Sequence, residues 1–317
     1  MNLVYLDGYT LNPGDLSWET LEKLGNLKIY DRTSASEVVS RSREAEIILT
    51  NKVPITREMM EQLPDLKHIA VTATGYNIID LEAAKEHHVI VTHVKGYSSY
   101  SVAQHTFALL FALTNRVETH DGAVQNGKWE KCEDFTFRET PLVELYGKTL
   151  GLIGLGDIGE KVAEIGATLG MEVIVYRKNT EKTPPPHVEY ASLEDIFSKS
   201  DVLSLHCPLT AETKEIVNKN HLNLMKNGAF IINTGRGALI QEQDLAQALK
   251  EKKIAGAGLD VLSEEPPKGD NPLLHIDNCI ITPHIAWSLD GARKRLMGMI
   301  VDNIKAYQKG APINVVR

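Results

Sequence analysis

Three loop segments of this chain carry side chains that together could reduce a carbonyl group. Arg236 lies between two glycines, Glu265 precedes a proline, and His284 follows one. Each comes after an apolar run that predicts a β-strand, and the carboxyl ends of parallel strands form the edge where ligands bind. Singly, each is more often an ordinary loop residue. Together they place a cation, a carboxylate and an imidazole on one edge of a sheet, which is the set of groups that carbonyl reduction needs.

A G-x-G-x-x-G motif lies between an apolar run (149–153) and a helix-compatible segment (160–169). This is the context of a dinucleotide-binding turn, where the first glycine permits a tight turn and the second lets backbone approach the pyrophosphate. The third lets helix and strand pack closely, and the helix N-terminus offers free N–H groups. The motif residues predicted to bind the cofactor are Gly154, Gly156, Asp157, Ile158 and Gly159.

The second strand of this cofactor domain ends in basic residues where a carboxylate is expected. An acid about 20 residues after the glycines normally binds the ribose 2′-hydroxyl of NAD. Here Glu172–Tyr176 is followed by Arg177 and Lys178, and the nearest other acid, Glu181, is out in the loop. A solvated basic turn is one interpretation. We favour the other, in which Arg177, together with Lys178, pairs with the 2′-phosphate of NADP, so that both residues bind the cofactor and NADP is preferred to NAD.

Two successive series of predicted strands alternating with predicted helices must position these residues. The first, up to about Thr92, predicts a parallel sheet covered by helices on both faces. It is followed by one predicted long helix, Val102–Val124, and then by the second series. We therefore predict an α/β fold of two doubly wound parallel-sheet domains, residues 1–99 plus 287–317 and residues 100–286. The helix-forming run at the end has no strand to pair with, so it is predicted to pack on the first domain.

Composition excludes several classes of protein. The 317 residues favour two domains, and 43% hydrophobic with 24% charged residues is typical of a globular protein. A net charge of −8 without a basic run argues against nucleic acid. Cys132, Cys207 and Cys279 are too dispersed for a disulfide framework or a zinc site, so no metal is predicted and a cytoplasmic location is expected. The start lacks a signal-peptide pattern, and the apolar stretch Val102–Leu113 is shorter than the roughly 20 residues of a membrane span.

In chain order, the motifs resemble those of the D-isomer-specific 2-hydroxyacid dehydrogenases. The segments that carry the resemblance are G-x-x-G-L-G-x-I-G from Gly151, H-C-P-L-T from His206, N-T-G-R-G from Asn233, G-L-D-V from Gly258 and T-P-H-I-A from Thr282. Within the family, the glycerate dehydrogenases, also called hydroxypyruvate reductases, are similar at Asn51–Pro54, Ala73–Asn77 and Pro141–Thr149.

The resemblance implies a flavodoxin-like substrate domain and a Rossmann cofactor domain with a cleft between them. It implies that Arg236 binds the substrate carboxylate and that His284, oriented by Glu265, is the acid/base. It places a carboxylate-binding backbone loop on Ala73, Thr74 and Gly75. The further cofactor contacts that it implies are Cys207, Pro208, Thr234, Arg236, Asp260, His284 and Ala286.

The resemblance also implies a small 2-keto acid as substrate, hydroxypyruvate or glyoxylate first, and a homodimer. The predicted dimer contact is the helix 102–124 with the aromatic segment Trp129–Phe137. Two departures are Arg177, where most members carry the ribose Asp, and Arg138, where hydroxypyruvate-type relatives often have an aromatic residue. A non-catalytic, NAD(P)(H)-sensing regulatory protein on the same fold is an alternative. A Rossmann methyltransferase would explain the glycines and leave the three loop residues without a role.

Overall fold

The computed structural model describes residues 1–179, 181 and 183–316. The chain divides into two compact units, one formed by Met1–Ser98 with Ser288–Arg317 and the other by Ser99–Trp287. Each unit contains one parallel sheet with helices, which confirms the predicted α/β fold class. Within the described residues, no helix is both long enough and apolar enough to cross a membrane.

The first unit is built on a parallel sheet of strand order β2-β1-β3-β4-β5. Its strands are β1 (Asn2–Tyr5), β2 (Asn26–Ile29), β3 (Ile47–Thr50), β4 (His68–Val71) and β5 (Ile90–Thr92). Its helices before the second unit are α1 (Glu19–Glu22), α2 (Val38–Ser42), α3 (Arg57–Met60) and α4 (Leu81–Glu86), with 3-10 turns at Gly8–Thr10 and Ala35–Glu37. Every residue of the central strands β3 and β4 is buried, as expected where helices cover both faces of a parallel sheet.

The second unit contains a larger parallel sheet, and the part of the chain that is described contributes seven strands to it. They are β6 (Thr149–Ile153), β7 (Glu172–Tyr176), β8 (Val188–Tyr190), β9 (Val202–Leu205), β10 (Ala229–Asn233), β11 (Ile254–Leu259) and β12 (Cys279–Ile281). Their order is β12-β11-β10-β9-β6-β7-β8. The order reverses between β6 and β9, and such a switch point is where open α/β sheets bind ligands.

Helices cover this second sheet, and one more helix follows it along the chain. The helices of the second unit are α5 (Ser99–Asn115), α6 (Val117–Gln125), α7 (Asp157–Thr168), α8 (Leu193–Lys199), α9 (Lys219–Leu224) and α10 (Glu242–Lys250), with 3-10 turns at Trp129–Lys131 and Gly237–Leu239. The last helix, α11 (Asp290–Gln308), belongs to the first unit. Arg293 of α11 pairs with Asp15, and its Nη1 also donates to the carbonyl oxygen of Leu11 at 3.2 Å.

The prediction of one long helix over residues 102–124 is wrong. Helix α5 ends at Asn115 and α6 begins at Val117, because Arg116 between them has φ 50° and ψ 40°. A residue in this left-handed region cannot continue a right-handed helix. The predicted strand at Gly258–Val261 also ends too late, since β11 runs from Ile254 to Leu259.

Glycines in β11 let helix α5 lie close against the sheet. A Cβ atom at Gly256 would be 2.9 Å from Leu113 Cδ2, and one at Gly258 would be 2.8 Å from Leu109 Cβ. Side chains at these positions would push α5 away from the strand. The glycines therefore place α5 at short range from the strands whose loops carry the predicted catalytic residues.

Candidate active site

The three predicted catalytic residues lie on loops that follow three adjacent strands of the second unit. Arg236 follows β10, Glu265 follows β11 and His284 follows β12. Because β10, β11 and β12 are neighbours in a parallel sheet, their carboxyl ends share one edge. The fold therefore brings the three residues to the edge at which the sequence predicted them.

His284 and Glu265 form a hydrogen-bonded pair. Nδ1 of His284 lies 2.7 Å from Oε2 of Glu265, and Oε1 of the same carboxylate accepts the backbone N–H of Leu262 at 3.1 Å. The side chains of His284 and Glu265 are 28% and 35% exposed. With Nδ1 bound to a carboxylate, Nε2 is the ring nitrogen left to exchange a proton with a substrate.

Asp260 holds the loop that carries His284. Its carboxylate accepts the Thr282 hydroxyl at 2.6 Å and the backbone N–H groups of Ile285 and Ala286 at 2.9 and 2.8 Å. The backbone N–H of His284 donates to the Asp260 carbonyl oxygen at 2.8 Å. His284 has φ 53°, a left-handed conformation that non-glycine residues adopt only where surrounding bonds hold it. This shell of hydrogen bonds therefore maintains the backbone conformation of His284.

Asp260 is ionised at neutral pH. Burial by itself raises the pKa of this carboxyl, but hydrogen bonds from His105, Thr282 and two backbone N–H groups outweigh burial and lower the pKa below its ordinary value. An ionised carboxylate accepts hydrogen bonds and donates none. The four hydrogen-bonding partners of the side chain are therefore all donors.

Arg236 is exposed, and hydrogen bonds between residues of its own loop fix the loop backbone. The Asn233 amide accepts the Gly235 N–H at 3.0 Å and donates to the Arg236 carbonyl at 2.9 Å. A Cβ atom at Gly237 would lie 1.9 Å from the Leu262 carbonyl carbon, so only glycine lets this loop approach the loop that carries Glu265. Among the described residues no carboxylate lies within ion-pair distance of Arg236, which leaves its charge available to an anion.

The glycine-rich turn has the geometry of a dinucleotide site. Gly154 has φ +100°, and a Cβ there would be 2.6 Å from the His206 carbonyl oxygen. A Cβ at Gly159 would lie 2.6 Å from the Gly154 carbonyl oxygen, whereas one at Gly156 meets no atom within 4 Å. Gly156 is the N-cap of α7 and has no side chain to cap the helix. Backbone N–H groups can therefore reach a pyrophosphate here, so the residues fit a dinucleotide.

The other predicted cofactor residues lie at the same sheet edge. These residues are Cys207 and Pro208 after β9, Thr234 after β10, Asp260 after β11 and Ala286 after β12. Burial raises the pKa of the Cys207 thiol to about 11, so the thiol is neutral and suits a packing role. Arg177 and Lys178 follow β7, as predicted. Lys178 forms an exposed ion pair with Glu212 at 2.8 Å.

The predicted carboxylate-binding loop lies in the first unit, directly after β4. The carbonyl oxygen of Ala73 accepts the Val94 N–H at 3.1 Å, and that of Thr74 lies 2.9 Å from Nδ1 of His93. These bonds fix the loop through its carbonyl groups. Within residues 1–179 the backbone N–H groups of Thr74 and Gly75 have no protein acceptor, so both can donate to an anion.

Two site-associated residues were missed from the sequence. His105 and Thr106 lie in the middle of α5 and form hydrogen bonds with Thr282 and Thr234. The only signal in the sequence is that two polar residues interrupt an apolar helix, and this does not identify their partners.

The dinucleotide turn, together with the exposed cation and the hydrogen-bonded histidine–glutamate pair, indicates a nucleotide-dependent oxidoreductase. The model of the D-isomer specific 2-hydroxyacid dehydrogenase NAD-binding domain matches residues 107–286. The chain is 48% identical to a hydroxypyruvate reductase of Blautia hydrogenotrophica, with 100% of this chain and 99% of that one covered. It is 40% identical to a glycerate dehydrogenase of Methylorubrum extorquens, with 91% of each covered. The chain belongs to the D-2-hydroxyacid dehydrogenase family.

Solved structures agree with this assignment. An acyclic imino acid reductase in complex with NADPH and D-Arg is 33% identical and superposes with a TM-score of 0.87, with both chains fully covered. A D-2-hydroxyisocaproate dehydrogenase superposes with a TM-score of 0.86 at 25% identity, over 100% of this chain and 99% of that one. The protein is therefore an oxidoreductase of 2-hydroxyacids with an NAD(P)-binding domain, as predicted, and these relatives offer no support for a regulatory protein.

Proposed function

We propose that this enzyme reduces hydroxypyruvate or glyoxylate to D-glycerate or glycolate, with NADPH preferred to NADH. The observation that carries the proposal is the 2.7 Å hydrogen bond between Glu265 and His284 on the sheet edge that also carries Arg236. The hydroxypyruvate reductase and glycerate dehydrogenase named above support the choice of substrate. A glyoxylate reductase of Aeropyrum pernix, 36% identical to this chain, supports the second candidate.

Three side chains perform the reduction in this proposal. Arg236 binds the carboxylate of the 2-keto acid and polarises the adjacent carbonyl. The cofactor, when bound, supplies a hydride that the carbonyl carbon accepts. Nε2 of protonated His284 donates its proton to the carbonyl oxygen, and Glu265 stabilises the positive charge that His284 carries before this transfer. One hydride and one proton convert the keto group to a hydroxyl, and the reverse reaction returns the proton to His284.

The loop Ala73–Gly75 is proposed to bind a carboxylate through its backbone. The N–H groups of Thr74 and Gly75, for which the described residues offer no acceptor, are suited to an anion and carry no preference for a particular side chain of the substrate. This is consistent with a substrate that is little more than a 2-keto carboxylate.

The preference for NADPH is argued from Arg177. Its side chain is half-buried, and its Nη1 makes one long hydrogen bond, 3.4 Å, to the hydroxyl of Tyr190. An arginine has five N–H donors. Among the described residues, none accepts a hydrogen bond from the other donors of Arg177, so these can bind a 2′-phosphate, and no acid occupies the end of β7 to bind a 2′-hydroxyl.

A homodimer is proposed from exposed apolar side chains in and near α5 and α6. Tyr100, Val117 and Trp129 are 67%, 66% and 52% exposed, and Phe135 is 89% exposed. Exposed apolar side chains concentrated in one part of a chain are typical of a protein–protein interface. A second copy of this chain is the proposed partner.

A panel of 2-keto acids with NADH and NADPH tests the proposed reaction. The wild type is expected to turn over hydroxypyruvate or glyoxylate with the highest kcat/KM, and His284→Ala is expected to lose 10²- to 10⁴-fold in kcat. NADPH fluorescence titration of the same variant should give a Kd close to that of wild type, because the imidazole acts on the proton. Near wild-type kcat in His284→Ala contradicts the proposal.

A further inference from the structure

We infer that His105 and Thr106, adjacent residues of α5, are positioning residues that fix the loops of His284 and Arg236 relative to each other. The inference rests on the proposed function, because it assumes the catalytic roles of those two residues. Each of the two α5 residues makes a side-chain hydrogen bond to one of the loops. His105 acts on the loop after β12, and Thr106 acts on the loop after β10.

The His105 contact belongs to a polarised chain of hydrogen bonds. The Thr282 hydroxyl donates to Asp260 Oδ1 at 2.6 Å, so the Thr282 oxygen accepts from Nε2 of His105, 2.9 Å away. Nε2 also lies 3.4 Å from Asp260 Oδ1. His105 must therefore present an N–H at Nε2. Through Thr282 it directs the hydroxyl toward the carboxylate that holds the backbone of His284.

In the second contact the helix residue, Thr106, accepts the hydrogen bond from the loop instead of donating it. The Thr106 hydroxyl donates to the Val102 carbonyl within α5 at 2.9 Å, so its oxygen accepts from the Thr234 hydroxyl at 3.1 Å. Both threonines are buried. Thr234 begins the loop that presents Arg236. The bond therefore anchors the start of that loop to the helix.

A shared anchor has a physical purpose in this fold. Strand β11 lies between β10 and β12, so the loops of Arg236 and His284 do not come from neighbouring strands. Helix α5 has 17 residues and lies against the glycines of β11. One rigid element thus reaches both loops. Positioning errors of about 1 Å can cost a hundredfold in rate, so a common anchor bears directly on catalysis.

Three variants of His105 differ in whether they can place an N–H donor where Nε2 lies. A Gln side chain can place its amide N–H near the position of Nε2, an Asn side chain is too short, and Leu has no donor. We expect His105→Leu and His105→Asn to lower kcat three- to tenfold, about the effect of one hydrogen bond, with little change in KM. His105→Gln should restore most of kcat. Gln104→Ala, at the exposed neighbouring position, is the control and should match wild type.

Thr106→Val tests the second loop. It keeps the shape of the side chain and removes the acceptor for Thr234, so we expect KM for the 2-keto acid to rise about threefold or more with a smaller change in kcat. A role in folding alone would lower the melting temperature and leave both kinetic constants near wild type. That result in both Thr106→Val and His105→Leu would overturn the inference.

A double-mutant cycle establishes whether His105 acts through Thr282. In a Thr282→Val background, His105→Leu should lower kcat clearly less than it does in the wild type, because the path through Thr282 is already broken and only the 3.4 Å approach of Nε2 to Asp260 Oδ1 remains. Equal losses in both backgrounds overturn the inference, as does equal activity of the Gln, Asn and Leu variants. His284→Ala, assayed beside them, separates the two questions. If it keeps wild-type kcat the proposed function fails, whereas its loss of activity with a fully active His105→Leu refutes only the positioning role.

Discussion

Replacement of Arg177 by Asp is expected to reverse or abolish the preference for NADPH. Within the part of the chain that the structure describes, the half-buried guanidinium makes one weak hydrogen bond, 3.4 Å to the Tyr190 hydroxyl, and its carbon lies 6.0 Å from the centre of that ring. A charge-assisted hydrogen bond to a 2′-phosphate is worth roughly 1.5 to 3 kcal/mol, or about ten- to over a hundredfold in affinity. Salt screens a partly exposed charge, so the lower half of that range is expected at physiological ionic strength.

The second basic residue, Lys178, provides a matched control. Its ammonium group is already paired with Glu212, and the two side chains are 80% and 70% exposed. Lys178→Ala should therefore change the ratio of kcat/KM for NADPH to that for NADH much less than Arg177→Asp does. The Asp variant should repel a 2′-phosphate and accept a hydrogen bond from a free 2′-hydroxyl.

The assay is kcat/KM for NADPH and NADH, measured at low and physiological ionic strength for the wild type and both variants. The wild-type preference for NADPH should decrease with salt, because the contact is between charges. If the wild type prefers NADH at both ionic strengths, Arg177 is a solvated turn residue and the electrostatic argument is refuted.

Three further predictions concern stability and assembly. Burial lowers the pKa of His68 from 6.5 to about 4, so the unfolded chain takes up a proton there that the folded one does not. The stabilisation that results is present above pH 6.5 and decreases as pH falls toward 4. In urea unfolding, the free energy of unfolding should decrease by roughly 2 kcal/mol between pH 7.5 and 5, and by less in His68→Gln. Gly237→Ala should lower both activity and melting temperature, because the new Cβ would collide with the backbone of Leu262. Gly298→Ala is the control and should leave activity unchanged, since a Cβ there meets no atom within 4 Å. Wild-type activity in Gly237→Ala would contradict the structure. Light scattering at micromolar concentration should give a dimeric mass for wild type and a lower one for Phe135→Asp; a monomeric wild type would refute the dimer.

Local patterns in the sequence were sufficient for the fold class and the family. The glycine turn is a local feature, because strand, turn and helix follow one another within a single segment of chain. Arg236, Glu265 and His284 each follow a strand, and parallel strands place their carboxyl ends on a common edge. Their proximity therefore follows from chain order and the rule for parallel sheets.

Tertiary packing decided what those rules leave open. The break at Arg116 depends on one backbone conformation, and the close approach of α5 to β11 depends on glycines that leave room for the helix. His105 and Thr106 are bonded to residues 177 and 128 positions away along the chain. Neither residue type nor helical spacing specifies such partners, because a polar side chain on an apolar helix face can be satisfied by any donor or acceptor that packing brings near. Only the three-dimensional packing of α5 on β10 and β11 brings Thr282 and Thr234 within hydrogen-bond distance of these two residues.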